Sequence, residues 1–178
     1  MKADALGVAM TIAIADDEGG LVFLARMDEA LPASREIAVS KAYTAAALRM
    51  ATDEVGRLAQ PGEALYGIQH VRPGRVVLFG GGVPLRLNGK VIGAIGISGG
   101  TVQEDVQVAD SVVEALAEME KWSRSIKGLL SQTRLRRGWT ARLDLGLSEA
   151  FNAMNRPLSP HEHCILAGAI MLAAIGSD

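Results

Sequence analysis

Asn88-Gly89 stands between two apolar runs, Pro84–Leu87 and Val91–Ile97. A type I′ turn needs positive φ at both central residues, and Asn-Gly is the strongest short signal for it. The two runs therefore fold back on one another as an antiparallel hairpin, and the rest of the chain must be built around that pair. The surrounding stretch, Gly80 to Thr101, holds eight glycines in 22 residues. Gly89 belongs to the turn. Gly93 and Gly96 lie three apart in a strand and so face opposite ways, one toward a helix packed closely on the sheet and the other toward a neighbouring subunit.

The remaining elements read outward from this hairpin. Val8 to Ala15 is an apolar strand, Asp16-Asp-Glu-Gly-Gly20 a turn, and Leu21 to Arg26 the returning strand. Pro32-Ala-Ser34 announces a helix with Ser34 as its N-cap, followed by Glu36 to Ala51 without Gly or Pro. Ala38, Ala42, Ala45, Ala46 and Ala47 make that helix thin enough to lie close to another element. Thr52 to Ala59 is a short helix, Pro61 to Gly74 irregular, and Val76-Val-Leu-Phe79 a third strand before the Asn-Gly hairpin. Thr101-Val-Gln-Glu104 fits a capping box, and Val106, Ala109, Val113 and Leu116 continue as a helical apolar stripe ending between Glu120 and Ser125. Consecutive strands on short turns imply an α+β fold: one antiparallel sheet of about five strands with helices on both faces.

Charge divides the chain. Residues 1–120 carry ten Lys/Arg against sixteen Asp/Glu, a balance of −6; residues 121–142 carry seven Lys/Arg and no acid, +7; residues 143–178 carry one Arg against four acids, −3. These sum to the formal −2 of the whole, so nothing global points to nucleic acid, and the basic run reads as a solvated connector or as a balance to an acidic neighbouring subunit. Trp122 and Trp139 within it suit a subunit contact. The longest uncharged apolar run, Cys164 to Gly176, is shorter than the roughly 20 residues a membrane span needs. The single cysteine excludes an intrachain disulfide framework, and the opening residues carry no signal-like apolar region. A cytoplasmic protein is expected.

At this point several blocks together resemble a known family. Ala15 to Asp28, Ser34 to Ala47 around Lys41-Ala-Tyr-Thr-Ala45, Gly80-Gly-Gly-Val-Pro-Leu85, and Val91 to Gly100 with Gln103-Glu-Asp105 stand in the order and spacing of the GlcG/HbpS family. That family comprises haem-binding or haem-degrading proteins and the C-terminal domain of PduO-type corrinoid adenosyltransferases. The resemblance covers roughly residues 8–120. It implies a profilin-like sandwich, a homo-oligomer from dimer to octamer, and, for some members, haem or iron binding. It divides the chain into a GlcG/HbpS-like domain over 1–120, a basic connector over 121–143 and a helical extension over 144–178. Two positions depart from the haem-binding pattern: of the family's Glu-x-x-Glu this chain keeps Glu36 but has Val39, and Arg75 follows Pro73-Gly74 where the family has a haem-ligating Thr. The resemblance also implies a long helix before the first strand, where here only seven residues precede Val8. The apolar segment 159–175 is expected to cover the sheet face that helix would cover.

The candidate site follows from the glycines and the cations. Gly80, Gly81 and Gly82, and the run Ser98-Gly99-Gly100-Thr101, can each present backbone N–H groups, the second at a helix N-terminus where an anion such as a phosphate or propionate is favoured. Both runs are equally readable as tight turns that the sheet demands. Lys41 and Arg75 suit a carboxylate, with Glu36 and Asp53 as alternative ionic partners in structural salt bridges. Gly93-x-x-Gly96-x-x-Gly99 is not a dinucleotide fingerprint, and no parallel βαβ unit follows it. His161, His163 and Cys164 do not share one helix face, so no metal site is assigned. No Ser-His-Asp arrangement is legible. Three readings stand. The first is an oligomeric ligand-binding protein taking haem, a corrinoid or a small carboxylate near Glu36, Lys41, Arg75, Gly80–Gly82 and Gly99–Thr101. The second is a non-catalytic scaffold of a glycolate, diol or cobalamin-linked pathway, and the third an enzyme acting on haem or a small acid.

Overall fold

The computed structural model describes residues 2–132. Helix α1 (Lys2–Leu6) leads into strand β1 (Thr11–Asp16), which turns into β2 (Leu21–Arg26). Helices α2 (Ser34–Leu48) and α3 (Thr52–Leu58) follow, then a single 3-10 turn at Ile68–His70. Strands β3 (Gly82–Leu87) and β4 (Lys90–Ser98) complete the sheet, and α4 (Val102–Gln132) closes the described chain. The sheet is antiparallel, in the order β2-β1-β4-β3.

Both expected hairpins form where their turn chemistry puts them. Asn88 and Gly89 take φ of 50° and 78°, as a type I′ turn requires. In the first hairpin Asp16 Oδ1 accepts the N–H of Glu18 at 3.0 Å and of Gly20 at 2.7 Å, holding the turn from inside.

β1 writes the two layers in alternating letters. Ile12 and Ile14, with Leu85, Ile95 and Ile97, pack on one face against Val108 and Ala109 of α4. Ala13, Ala15 and Ala94 pack on the other against Ala38, Ala42, Ala45 and Ala46 of α2. The first face is held by bulky side chains, the second by near contact of backbones. Gly96 is the glycine that meets the helix: a Cβ there would collide with the carbonyl of Ala38 and lie 2.5 Å from the amide nitrogen of Ala42.

Three expectations are corrected. Val76–Phe79 is not a strand, so the sheet has four strands. The segment runs over the helices instead: the Val77 N–H bonds to Thr44 Oγ1 at 3.0 Å, and Leu78 O sits against Gly56 of α3 where no Cβ would fit. Ser34 is not the N-cap of α2, a place Ala33 occupies. The Ser34 hydroxyl is buried; it donates to Leu31 O at 2.6 Å and lies 2.6 Å from Thr11 Oγ1, tying the helix start to β1. Helix α4 runs past the expected end to Gln132, through Gly128, a residue helices tolerate at about 1 kcal/mol relative to alanine. The extension 144–178, including the segment expected to cover the sheet, lies outside the described residues.

The capping box forms as read. Glu104 N–H donates to Thr101 Oγ1 at 3.3 Å, and Thr101 N–H donates to Glu104 Oε2 at 2.7 Å. That backbone bond, with the one from the Thr101 hydroxyl, holds the Glu104 carboxyl below its ordinary range. Thr101→Ala should lower stability by about 1 kcal/mol near neutral pH. Because the folded-state value is depressed, Glu104's own contribution is present above the usual carboxylate range and fades as pH falls through it. Urea unfolding of both proteins at two pH values should show the gap closing in acid.

Candidate functional site

Lys41 sits on the sheet-facing side of α2 with none of its side chain exposed. A buried ammonium must be paired and hydrogen-bonded to be tolerated. Its Nζ donates to Asp105 Oδ2 at 2.6 Å and to Ile97 O at 2.8 Å, and lies 4.9 Å from the centre of the Phe79 ring. Asp105, from the first turn of α4, turns its other oxygen to the N–H of Gly100 at 3.2 Å. The pair thus bolts α2, the end of β4 and α4 together. Burial pushes the Lys41 ammonium down and the Asp105 carboxyl up, each against the pull of its partner.

The glycines close round this pair. At Gly81, with φ of 108°, a Cβ would lie 2.8 Å from Lys41 Nζ, from Ile97 O and from the Cβ of Asp105. At Gly82 it would lie 2.5 Å from Thr52 Cγ2, and at Gly80 2.5 Å from Val106 Cγ2. Gly99, with φ of 150°, lies against Ala9 and Met10, and Gly100 against Glu104. Lys41, Gly80–Gly82 and Gly99–Thr101 are therefore one neighbourhood, but the space their missing side chains leave is filled by the protein. The Gly82 N–H is spoken for by Thr52 Oγ1 at 3.0 Å, and the Gly100 N–H by Asp105.

Glu36 and Arg75 stand apart from that cluster. Glu36 is exposed on the first turn of α2, 3.9 Å from Arg35. Arg75 packs its guanidinium 4.6 Å from the Tyr43 ring centre. Of the partners expected for Lys41, Asp53 instead faces Arg57 at 3.7 Å across solvent. The true partner, Asp105, was missed in the sequence, although a lysine inside an alanine-rich face calls for a carboxylate and Gln103-Glu-Asp105 begins the next helix.

A second region presents side chains outward. The connection between Leu58 and Gly82 is far longer than the usual few residues, a length that in compact domains commonly serves function. Its far side is pinned to α2: Ser40 Oγ donates to Gly74 O at 3.1 Å, Thr44 Oγ1 to Arg75 O at 3.0 Å, and Arg72 Nη1 to the Tyr43 hydroxyl at 3.0 Å. Its near side exposes Tyr66 (66%) and Val71 (78%), large apolar groups the core does not use. Among the described residues no group of three or more His, Cys, Asp or Glu could hold a metal ion, and no helix is long and apolar enough to cross a membrane. His161, His163 and Cys164 lie outside the described residues.

Comparison with known proteins gives a consistent result. The pattern of the family described as "Haem degrading protein HbpS-like" matches residues 1–114. An uncharacterised 15.0 kDa protein of the dhaT-dhaS intergenic region of Citrobacter freundii is 43% identical over 118 residues, 66% of this chain and 83% of that protein. The corrinoid adenosyltransferase PduO of the same organism is 42% identical over 116 residues, 65% of this chain but only 35% of the enzyme. Among solved structures, the PduOC:haem complex superposes with a TM-score of 0.62 at 42% identity, covering 64% of this chain and 83% of that one.

Proposed function

The chain belongs to the HbpS-like haem-degrading protein family, and from that premise we propose that it is a small oligomeric protein that binds a planar, anionic tetrapyrrole of the haem type. The observation that carries the reading is the 42% identity to a structure solved with haem bound. Because the chain spans only about a third of PduO, the adenosyltransferase activity of that enzyme is not carried over.

Haem needs an axial ligand to its iron, cations for its propionates and an apolar surface for its ring. The Lys41–Asp105 cluster does not fit, since its cation is neutralised and its cradle filled. The Leu58–Gly82 connection fits better. It exposes Tyr66 and Val71 as apolar surface, and on the side held to α2 it carries Arg72 and Arg75 as cations, with Arg75 Nε buried and without a hydrogen-bond partner among the described residues. Bound haem supplies its iron's own electron and oxygen chemistry; the chain's part is to hold and orient it.

Oligomerisation is part of the same reading. β2 is an edge strand, Leu21-Val-Phe-Leu-Ala-Arg26, with no proline and no charge before Arg26, and Leu21 is half exposed. Such an edge is a template for a further strand unless it is covered. The other edge, β3, carries Pro84 and Arg86, which discourage pairing.

Haemin titrated into the intact protein should give a saturable displacement of the Soret band, with cobalamin and glycolate giving none. A flat haemin titration, alongside an intact oligomer on a sizing column, would favour the scaffold reading instead.

A further inference from the structure

The two faces of the sheet are closed unequally. Among the described residues, the alanine seam under α2 leaves only Leu24 and Val39 as half-buried apolar neighbours. Around the isoleucine core of the opposite face nine apolar side chains stay half-buried, among them Leu6, Phe23, Met27, Val112, Val113 and Leu116. The sheet order gives the reason. α4 packs over β3 and β4, the half away from the β2 edge. Beside it, among the described residues, stands α1, whose five residues span only about 8 Å, whereas six-residue strands such as β1 and β2 run about 20 Å. β1 is buried from Thr11 to Ala15, but no residue of β2 is.

We infer that segment 164–176 of this same chain occupies the β1–β2 half of that face, as a helix laid beside α4. The segment carries no charge and no proline. A helix that is apolar all round belongs against other apolar surface rather than in water. At 1.5 Å per residue it spans about 20 Å, the length of the two strands it would cover. The described chain also leaves on this face, along α4, and not on the α2 face. Reach is ample. α4 rises about 1.5 Å per residue over its 31 residues, while the equally long stretch 133–163 can extend by about 3.3 Å per residue, enough to return from the far end of α4. Tethering decides between copies: a segment joined to its own domain stands at roughly millimolar effective concentration, far above a second copy in dilute solution.

The test uses the full chain, whose single cysteine is Cys164. In a Cys164→Ala/Ala169→Cys background, Phe23→Cys sets a second thiol on the face to be covered, and Leu24→Cys sets it one residue on, against α2. Both variants are treated with a short bis-maleimide, and each thiol's own alkylation rate is divided out. We expect the Phe23 variant to cross-link within one chain, at monomer mass and unchanged by dilution, at least about tenfold faster than the Leu24 variant, because a docked thiol is held near its target. Adding Leu172→Asp should slow it to the Leu24 rate, since a carboxylate is costly in an apolar site, whereas Leu172→Met should leave it fast. Met27→Cys, at the end of the same face, repeats the reading without removing the Phe23 ring. Equal rates on the two faces would overturn the inference. So would a product of dimer mass alone that fades on dilution, which would seat a second copy's segment there. Co-sedimentation of the parent chain with phosphatidylcholine vesicles, abolished by Leu172→Asp, would overturn it too.

Discussion

Lys41→Met should unfold at a much lower urea concentration than the parent, a loss of about 3–5 kcal/mol, because it strands the buried carboxylate of Asp105. The Ile97 carbonyl would lose its ammonium donor at the same time. Asp105→Leu should cost a similar amount, since it leaves the ammonium unpaired and the Gly100 N–H without its acceptor. Each single change leaves a charge that has lost its partner, whereas the double variant leaves none. Lys41→Met/Asp105→Leu is therefore expected to be less damaged than the two losses added together, by about 2 kcal/mol. A double-mutant cycle read by urea midpoints decides it. Strict additivity would mean that the two side chains act independently, and the geometry described here would then be wrong about what holds α2 to α4.

Gly96→Ala is the second large effect. One added methyl group has to enter the seam between β4 and α2, where the obstacles are the carbonyl of Ala38 and the amide of Ala42. Main chain cannot rotate aside as a side chain can, so the helix must lift, and the cost should be about 3 kcal/mol. Gly89→Ala makes a useful contrast. Gly89 has φ of 78° and nothing within reach of a Cβ, so its replacement costs only the left-handed backbone, about 1 kcal/mol. Thermal melts of the two variants should separate a packing glycine from a turn glycine. Equal losses would sink the distinction.

The sequence made the local decisions legible. Asn88-Gly89 set a turn through its own dihedral preferences, and Thr101-x-x-Glu104 set a helix start through its own hydrogen bonds. The alanines of α2 announced a close approach, and the structure fulfils it at Ala38, Ala42, Ala45 and Ala46, although Ala47 faces solvent. What failed were choices settled at a distance. Val76–Phe79 has the composition of a strand, but the Val77 N–H meets the Thr44 hydroxyl instead of a sheet edge, and no local pattern could say so. Ser34 looked like a cap because caps are Ser, Thr, Asp or Asn; its hydroxyl was instead claimed by Thr11, 23 positions earlier. Asp105 escaped for the same reason, since its partner lies 64 residues away. The glycine-rich stretches offered N–H groups to an anion, and only the tertiary packing brings Val106, Thr52 and Lys41 into the space beside Gly80–Gly82.

The seam between α2 and the sheet has one further consequence. Where two layers touch through main chain, their spacing is a fixed gauge: no exchange of one aliphatic residue for another can widen or tilt it by degrees. Proteins built on this plan cannot retune a binding surface by letting that helix drift. What can change in this chain without disturbing that bearing is the outward side of the long connection held to the helix's other flank.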